Sequence, residues 1–184
     1  IAQKKLMGLT GLALAGFILA HMTGNLLLFC SADSYNLYSY KLTSTPLIYV
    51  AEAILVLFAA THIALAVRLT RLNREARPVK YETCAQGEKK TCLAKKTLIV
   101  SGLMIFAFLV LHLATFKFGT HYSTNVGGVE MRDIYKLVNE KFHEPLYVGW
   151  YLICLVLLAF HISHGVAASF QSLGVWSANH PILK

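Results

Sequence analysis

Charge is scarce in this chain. Only 14% of its 184 residues are Asp, Glu, Lys or Arg, and its mean hydropathy is +0.55. In four long stretches charge is almost absent. Strand-like alternation of polar and apolar residues is missing from them too, which argues against a transmembrane β-barrel. The four cysteines make neither a CxxCH haem attachment nor a paired CxxC, so covalent haem and a zinc cage find no support there. Cys30 and Cys154 lie at or within apolar segments. Cys84 and Cys92 read as ordinary reduced loop thiols. There is no low-complexity tract and no repeat of 20–50 residues. The first apolar stretch is too long for a signal-peptide core and lacks a small-residue cleavage site.

What is present is an apolar excess too large for one soluble core. The four stretches are Leu6–Phe29, Leu47–Val67, Leu98–Phe116 and Leu146–Phe170. A bilayer needs about 20 helical residues per crossing, and the backbone polar groups must be satisfied internally, which demands helices. The expectation is an all-α polytopic transmembrane bundle. It forms one domain over 1–184, with helices near 5–30, 46–77, 95–118 and 145–172.

The formal net charge of +8 is concentrated between the second and third stretches. Arg68, Arg71, Arg74, Arg77, Lys80, Lys89, Lys90, Lys95 and Lys96 stand there against Glu75, Glu82 and Glu88. Lys4 and Lys5 precede the first stretch. The positive-inside rule then places the N-terminus and the 68–96 loop in the cytoplasm. Arg68, Arg71, Arg74 and Arg77 form a basic face that is a topology signal or a dock for an acidic partner or lipid headgroups. Binding of nucleic acid is the rival reading of such a loop and is not favoured.

Each apolar stretch carries one histidine about two-thirds of the way along: His21, His62, His112 and His161. The helices alternate in direction. His21 and His112 therefore share the outer level, and His62 and His161 the inner level, on the order of 10–18 Å apart at 1.5 Å per residue. Two imidazoles at one depth on different helices can face each other across a bundle core. Two such pairs fit two six-coordinate haems. Zinc is less apt, because separated pairs do not make a four-ligand cage. A proton-relay transporter needs its histidines along one path.

Small residues near the histidines leave room for a macrocycle: Gly24, Ala59, Ala66 and Gly165. Gly16, Ala20 and Gly24 at four-residue spacing serve plain helix packing equally well. His164 is the challenger to His161, or a contact for a haem propionate. His121 and His143 read as interfacial polar residues. Glu52 is an acid inside the second stretch and so a functional candidate. Ser31–Thr45 reads as a tyrosine-rich outer loop, Gly127–Gly128 as a turn, and Met131–Phe142 as a short surface helix. Pro78 ends the extension of the second helix, and Tyr81–Glu88 reads as loop.

Four segments carry a family resemblance: GFILAHMTGN around His21, PLIYVAEAILVLFAATHIALAVR around His62, FLVLHLATFKFG around His112 and LAFHISHGVAASFQSLG around His161. Over most of its length the chain resembles the di-haem cytochrome b membrane anchor of bacterial succinate:quinone oxidoreductases. These are succinate dehydrogenase and fumarate reductase. The resemblance implies His21 with His112 on the distal haem b and His62 with His161 on the proximal haem b. It differs from quinol–cytochrome c oxidoreductases, which place two ligands on one helix. It implies partners too: a flavoprotein, an iron–sulfur subunit and a quinone of menaquinone type. The implied location is the bacterial cytoplasmic membrane. The subunit carries electrons and has no dicarboxylate chemistry of its own. Glu52 is then a candidate for proton exchange with the quinone.

Two features depart from the pattern. The family usually has a fifth helix after the segment matching Gln171–Lys184, so the chain is expected to be truncated. It also lacks an initiator methionine. Ala159 stands where some fumarate reductases carry a proton-conducting glutamate. The competing readings are the cytochrome b anchor of another respiratory dehydrogenase and a haem-free, histidine-bearing membrane transporter.

Overall fold

A computed structural model describes residues 2–76 and 91–174, with side chains from 98 onward in the second range. Most of the basic loop, including Arg77, Lys80, Cys84 and the Tyr81–Glu88 segment, lies outside the described residues. So do the side chains of Cys92, Lys95 and Lys96 and the tail from 175 to 184.

The fold is an all-α polytopic membrane fold. Among the described residues four helices are long and apolar enough to cross a bilayer. α1 spans Ala2–Asn25 and runs on through a 3-10 turn, Leu26–Phe29. α3 spans Leu47–Glu75 and α6 spans Pro145–Leu173. α4 spans Thr91–His112 and ends in a π turn, Leu113–Lys117. Large apolar side chains point outward along every span: Phe17, Val56, Leu103 and Phe160 are all exposed. In water such a surface would associate, whereas hydrocarbon is its natural solvent.

The π turn follows His112 directly. The Phe118 N–H reaches back five residues to the Leu113 carbonyl at 3.0 Å. Such insertions cluster at functional sites. Gly119 is required here, because a Cβ at this position would strike the Thr115 carbonyl.

Two helices outside the spans correct the sequence reading. Ser31–Thr45 is not a loop, since Ala32–Thr43 forms helix α2. Ser31 caps it by accepting from Ser34 N–H at 3.1 Å. Its tyrosines are spread so that one face is buried, and Tyr35 is 8% exposed. The expected helix over Met131–Phe142 is shorter. Val129–Arg132 is instead strand β2, paired antiparallel with β1, Ser123–Val126. Gly127 and Gly128, at φ +61° and +85°, make the two-residue turn. Both central residues at positive φ is the hairpin geometry that glycine supplies most readily. Helix α5 begins at Ile134, with the Asp133 carboxylate accepting from Lys136 N–H at 3.0 Å.

The chain divides into two compact units. One comprises Ile1–Gly16, Leu55–Leu103 and Leu158–Lys184; the other comprises Phe17–Ile54 and Met104–Leu157. The second unit holds α2 packed on α5. Tyr35, Ile134 and Leu137 form its core, flanked by Leu27, Phe116 and Tyr122. Asn36, 2% exposed, fastens the two helices. Its amide donates to the Asp133 carboxylate at 2.9 Å, and its oxygen accepts from Tyr135 N–H at 3.0 Å. A buried polar group left unpaired costs about 1–3 kcal/mol. Asn36→Ala should lower stability by about that amount, and the near-isosteric Asn36→Asp by more, because it sets two carboxylates together. Thermal unfolding in detergent micelles checks both; an unchanged midpoint for Asn36→Asp would show that this contact does not hold α2 to α5.

Candidate functional site

An imidazole in an apolar helix has two nitrogens to satisfy. Their partners are visible for three of the four span histidines. In the second unit, His112 Nδ1 lies 2.8 Å from the Tyr151 hydroxyl. Tyr151 is 7% exposed and accepts a further hydrogen bond from Tyr147 at 3.2 Å. Phe108, Phe116 and Tyr151 surround the His112 ring.

His21 lies in the same unit. Its ring meets that of His112 edge to face, with centroids 5.8 Å apart and planes at 82°. Phe17, one turn earlier, stacks on it at 5.6 Å. His21 also lines an open cavity of about 120 Å³ with Asn25, Tyr35, Tyr38, Ser39 and Leu42. Tyr35 donates to the Asn25 side-chain oxygen at 2.8 Å. Burial, and the nearby Tyr38, push the Tyr35 phenol above its ordinary value, so it remains a neutral donor near pH 7.

In the first unit, His62 and His161 each face a hydroxyl on another helix. His62 Nδ1 is 3.4 Å from Thr10 Oγ1, and His161 Nδ1 is 3.0 Å from Ser101 Oγ. The two hydroxyl protons are already committed within their own helices. Thr10 donates to the Leu6 carbonyl at 3.0 Å, and Ser101 to the Leu98 carbonyl at 3.1 Å. What remains toward each imidazole is a lone pair, which suits a proton on Nδ1 and a free Nε2; at His62 the Met7 carbonyl is a second acceptor beside Thr10.

That donor set fits a haem. Metal-binding histidines give their other N–H to a fixed acceptor, and Thr10 and Ser101 stand in that position for His62 and His161. Two imidazoles on one iron, with bonds of about 2 Å, hold their centroids about 6 Å apart, close to the His21–His112 separation. Among the described residues no cluster of three or more His, Cys, Asp or Glu side chains is arranged to hold a bare metal ion.

The remaining candidates fall elsewhere. His164 is half-buried and, among the described residues, without a hydrogen-bonded partner, in contrast to His161. His121 and His143 are exposed, and His143 bonds the Asn139 carbonyl at 2.6 Å. Glu52 is half-buried and forms an ion pair with Lys117. Arg68, Arg71 and Arg74 are exposed. Cys154 is buried and Cys30 exposed.

Gly24 does not open space for a macrocycle. Tyr38 of α2 fills it, and a Cβ at Gly24 would lie 2.8 Å from carbons of that ring. Gly16 and Gly165 have nothing within 4 Å of an added Cβ. Sequence reasoning missed Thr10, Ser101 and Tyr151. The available signal was a hydroxyl inside a nearly charge-free stretch, which needs a partner as much as an imidazole does.

No family model, curated protein or solved structure matches the chain.

The Gly24–Tyr38 contact generates its own test. Gly24→Val should loosen α2 and lower thermal stability, and adding Tyr38→Ala should recover part of the loss, since the clash needs both side chains. Equal unfolding midpoints for the single and double variants would exclude the contact as the cause.

Proposed function

We propose that the chain is the membrane-anchor cytochrome b of a succinate:quinone oxidoreductase, carrying two haems b. His21 with His112 would hold one, and His62 with His161 the other. The observation that carries this reading is the placement of the imidazoles. Nδ1 of His62 and of His161 lies beside a hydroxyl whose own proton bonds its helix, which leaves Nε2 as the nitrogen each would offer to iron. A transporter relaying protons gains nothing from locking its histidines into one tautomer.

Bound haem supplies one-electron chemistry, passing electrons between the iron–sulfur subunit and quinone. The chain's own residues do the rest. The helices hold each imidazole at a fixed depth, and their lipid-facing side chains keep water from the core. Quinone reduction takes two electrons and two protons, so an acid is needed near the membrane surface. Glu52 serves that role, and its ion pair with Lys117 orients the carboxylate. Arg68, Arg71 and Arg74 at the end of α3 are exposed; on this reading they would lie on the cytoplasmic side and meet an acidic face of the iron–sulfur subunit or lipid phosphates. His161, with its Ser101 partner, is the ligand in preference to His164.

A dithionite-reduced minus oxidised spectrum of the protein purified from membranes tests the reading. The α-band of b-type haem is expected. His112→Ala should remove one component and His62→Ala the other. Absence of the band in the wild type discards the haem reading, and loss of one and the same component in both variants discards the pairing.

Glu52→Gln should slow quinone turnover at least tenfold while both haem signals persist. Turnover at the wild-type rate removes Glu52 from the proton path.

A further inference from the structure

The contacts that hold the histidines occur in two copies. Thr10 and Ser101 are both buried, at 4% and 6% exposure. Each is followed by a glycine, and each faces an imidazole: Thr10–Gly11 faces His62, and Ser101–Gly102 faces His161. Eleven residues after each hydroxyl, on the same helix, comes the next histidine: His21 after Thr10, His112 after Ser101. Four residues before each of these a phenylalanine stacks on it. Phe17 lies 5.6 Å from His21 at 28°, and Phe108 lies 5.8 Å from His112 at 31°.

The following spans repeat as well. Pro46 stands sixteen residues before His62, and Pro145 sixteen before His161. Leucine follows both prolines, and isoleucine follows both histidines. The chain thus contains two copies of a helix pair, α1 with α3 and α4 with α6. Their offset of more than 90 residues lies beyond the 20–50-residue periods of solenoid repeats.

Duplication changes the weight of the two hydroxyls. One buried threonine bonded to its own helix is ordinary packing. The same hydroxyl–glycine step, facing an imidazole in both copies, marks a shared task. An iron-bound imidazole needs an acceptor for Nδ1–H, which fixes the tautomer and raises the basicity of Nε2. The glycine lets the ring edge come close. A Cβ on Gly11 would stand 3.1 Å from His62 Cε1, and one on Gly102 3.6 Å from His161 Cε1.

We propose that Thr10–Gly11 and Ser101–Gly102 are equivalent positioning elements for the haem held by His62 and His161, one from each copy, whose hydroxyls take the Nδ1 protons and leave Nε2 for iron. This rests on the haem reading above. The equivalence stops at the other pair. Tyr151 holds His112, and its counterpart by the same register is Glu52, which pairs with Lys117 instead. The effect of the two hydroxyls is therefore confined to one haem.

Redox titration and low-temperature EPR of the full protein from membranes test this. Thr10→Val and Ser101→Ala should each move the midpoint potential of one haem upward and shift its g-values, because a poorer imidazole donor stabilises ferric iron less. The haem affected must be the one lost in His62→Ala. Thr10→Ser and Ser101→Thr, which keep the hydroxyl, should restore wild-type signals. No shift, or a shift in the haem lost in His112→Ala, overturns the proposal. A wild type without haem overturns the parent reading instead. Should Thr10→Val fail to assemble, the glycines decide: Gly11→Ala should perturb the same haem more than Gly102→Ala, and two silent glycine variants overturn the proposal.

Discussion

An imidazole placed in hydrocarbon has no water to satisfy its second nitrogen. That constraint organises the site. Each histidine that offers Nε2 must have Nδ1 held by an oxygen from a neighbouring helix, and the oxygen must have its own proton directed elsewhere. Thr10 and Ser101 meet this for His62 and His161 by back-bonding to carbonyls one turn earlier. The hydroxyls are thus as much part of the site as the histidines.

The rest of the fold serves that requirement. Close approach of ring to helix needs glycine, so Gly11 and Gly102 follow the two hydroxyls. The other unit is built differently. There His112 sits among aromatic rings at the start of a π turn, and a helical cap of α2 and α5 is fastened by Asn36 and Asp133. His21, alone of the four, is exposed and borders an open cavity with polar walls.

Much of the architecture was legible beforehand. Four spans follow from segment length and missing charge, and their ends fall within a few residues of the reading because charge and proline mark them. The cap was less legible. Ala32–Thr43 is polar and rich in tyrosine, so its helix carries no strong apolar periodicity; it forms because Ser31 caps it and Tyr35 and Asn36 are buried against α5. Gly24 was left open between helix packing and room for a macrocycle for a related reason. A glycine announces a close approach but not by what, and here the visitor is Tyr38.

The sequence alone pointed to four apolar spans, each with one histidine about two-thirds of the way along. These depend on one-dimensional quantities: run length, charge and residue count per turn. Only the tertiary structure decided which oxygen meets which imidazole. It joined Thr10 to His62 across 52 residues and Ser101 to His161 across 60. It also gave Glu52 to Lys117. A hydrogen bond depends on ångström-scale approach between helices, which packing sets and periodicity does not.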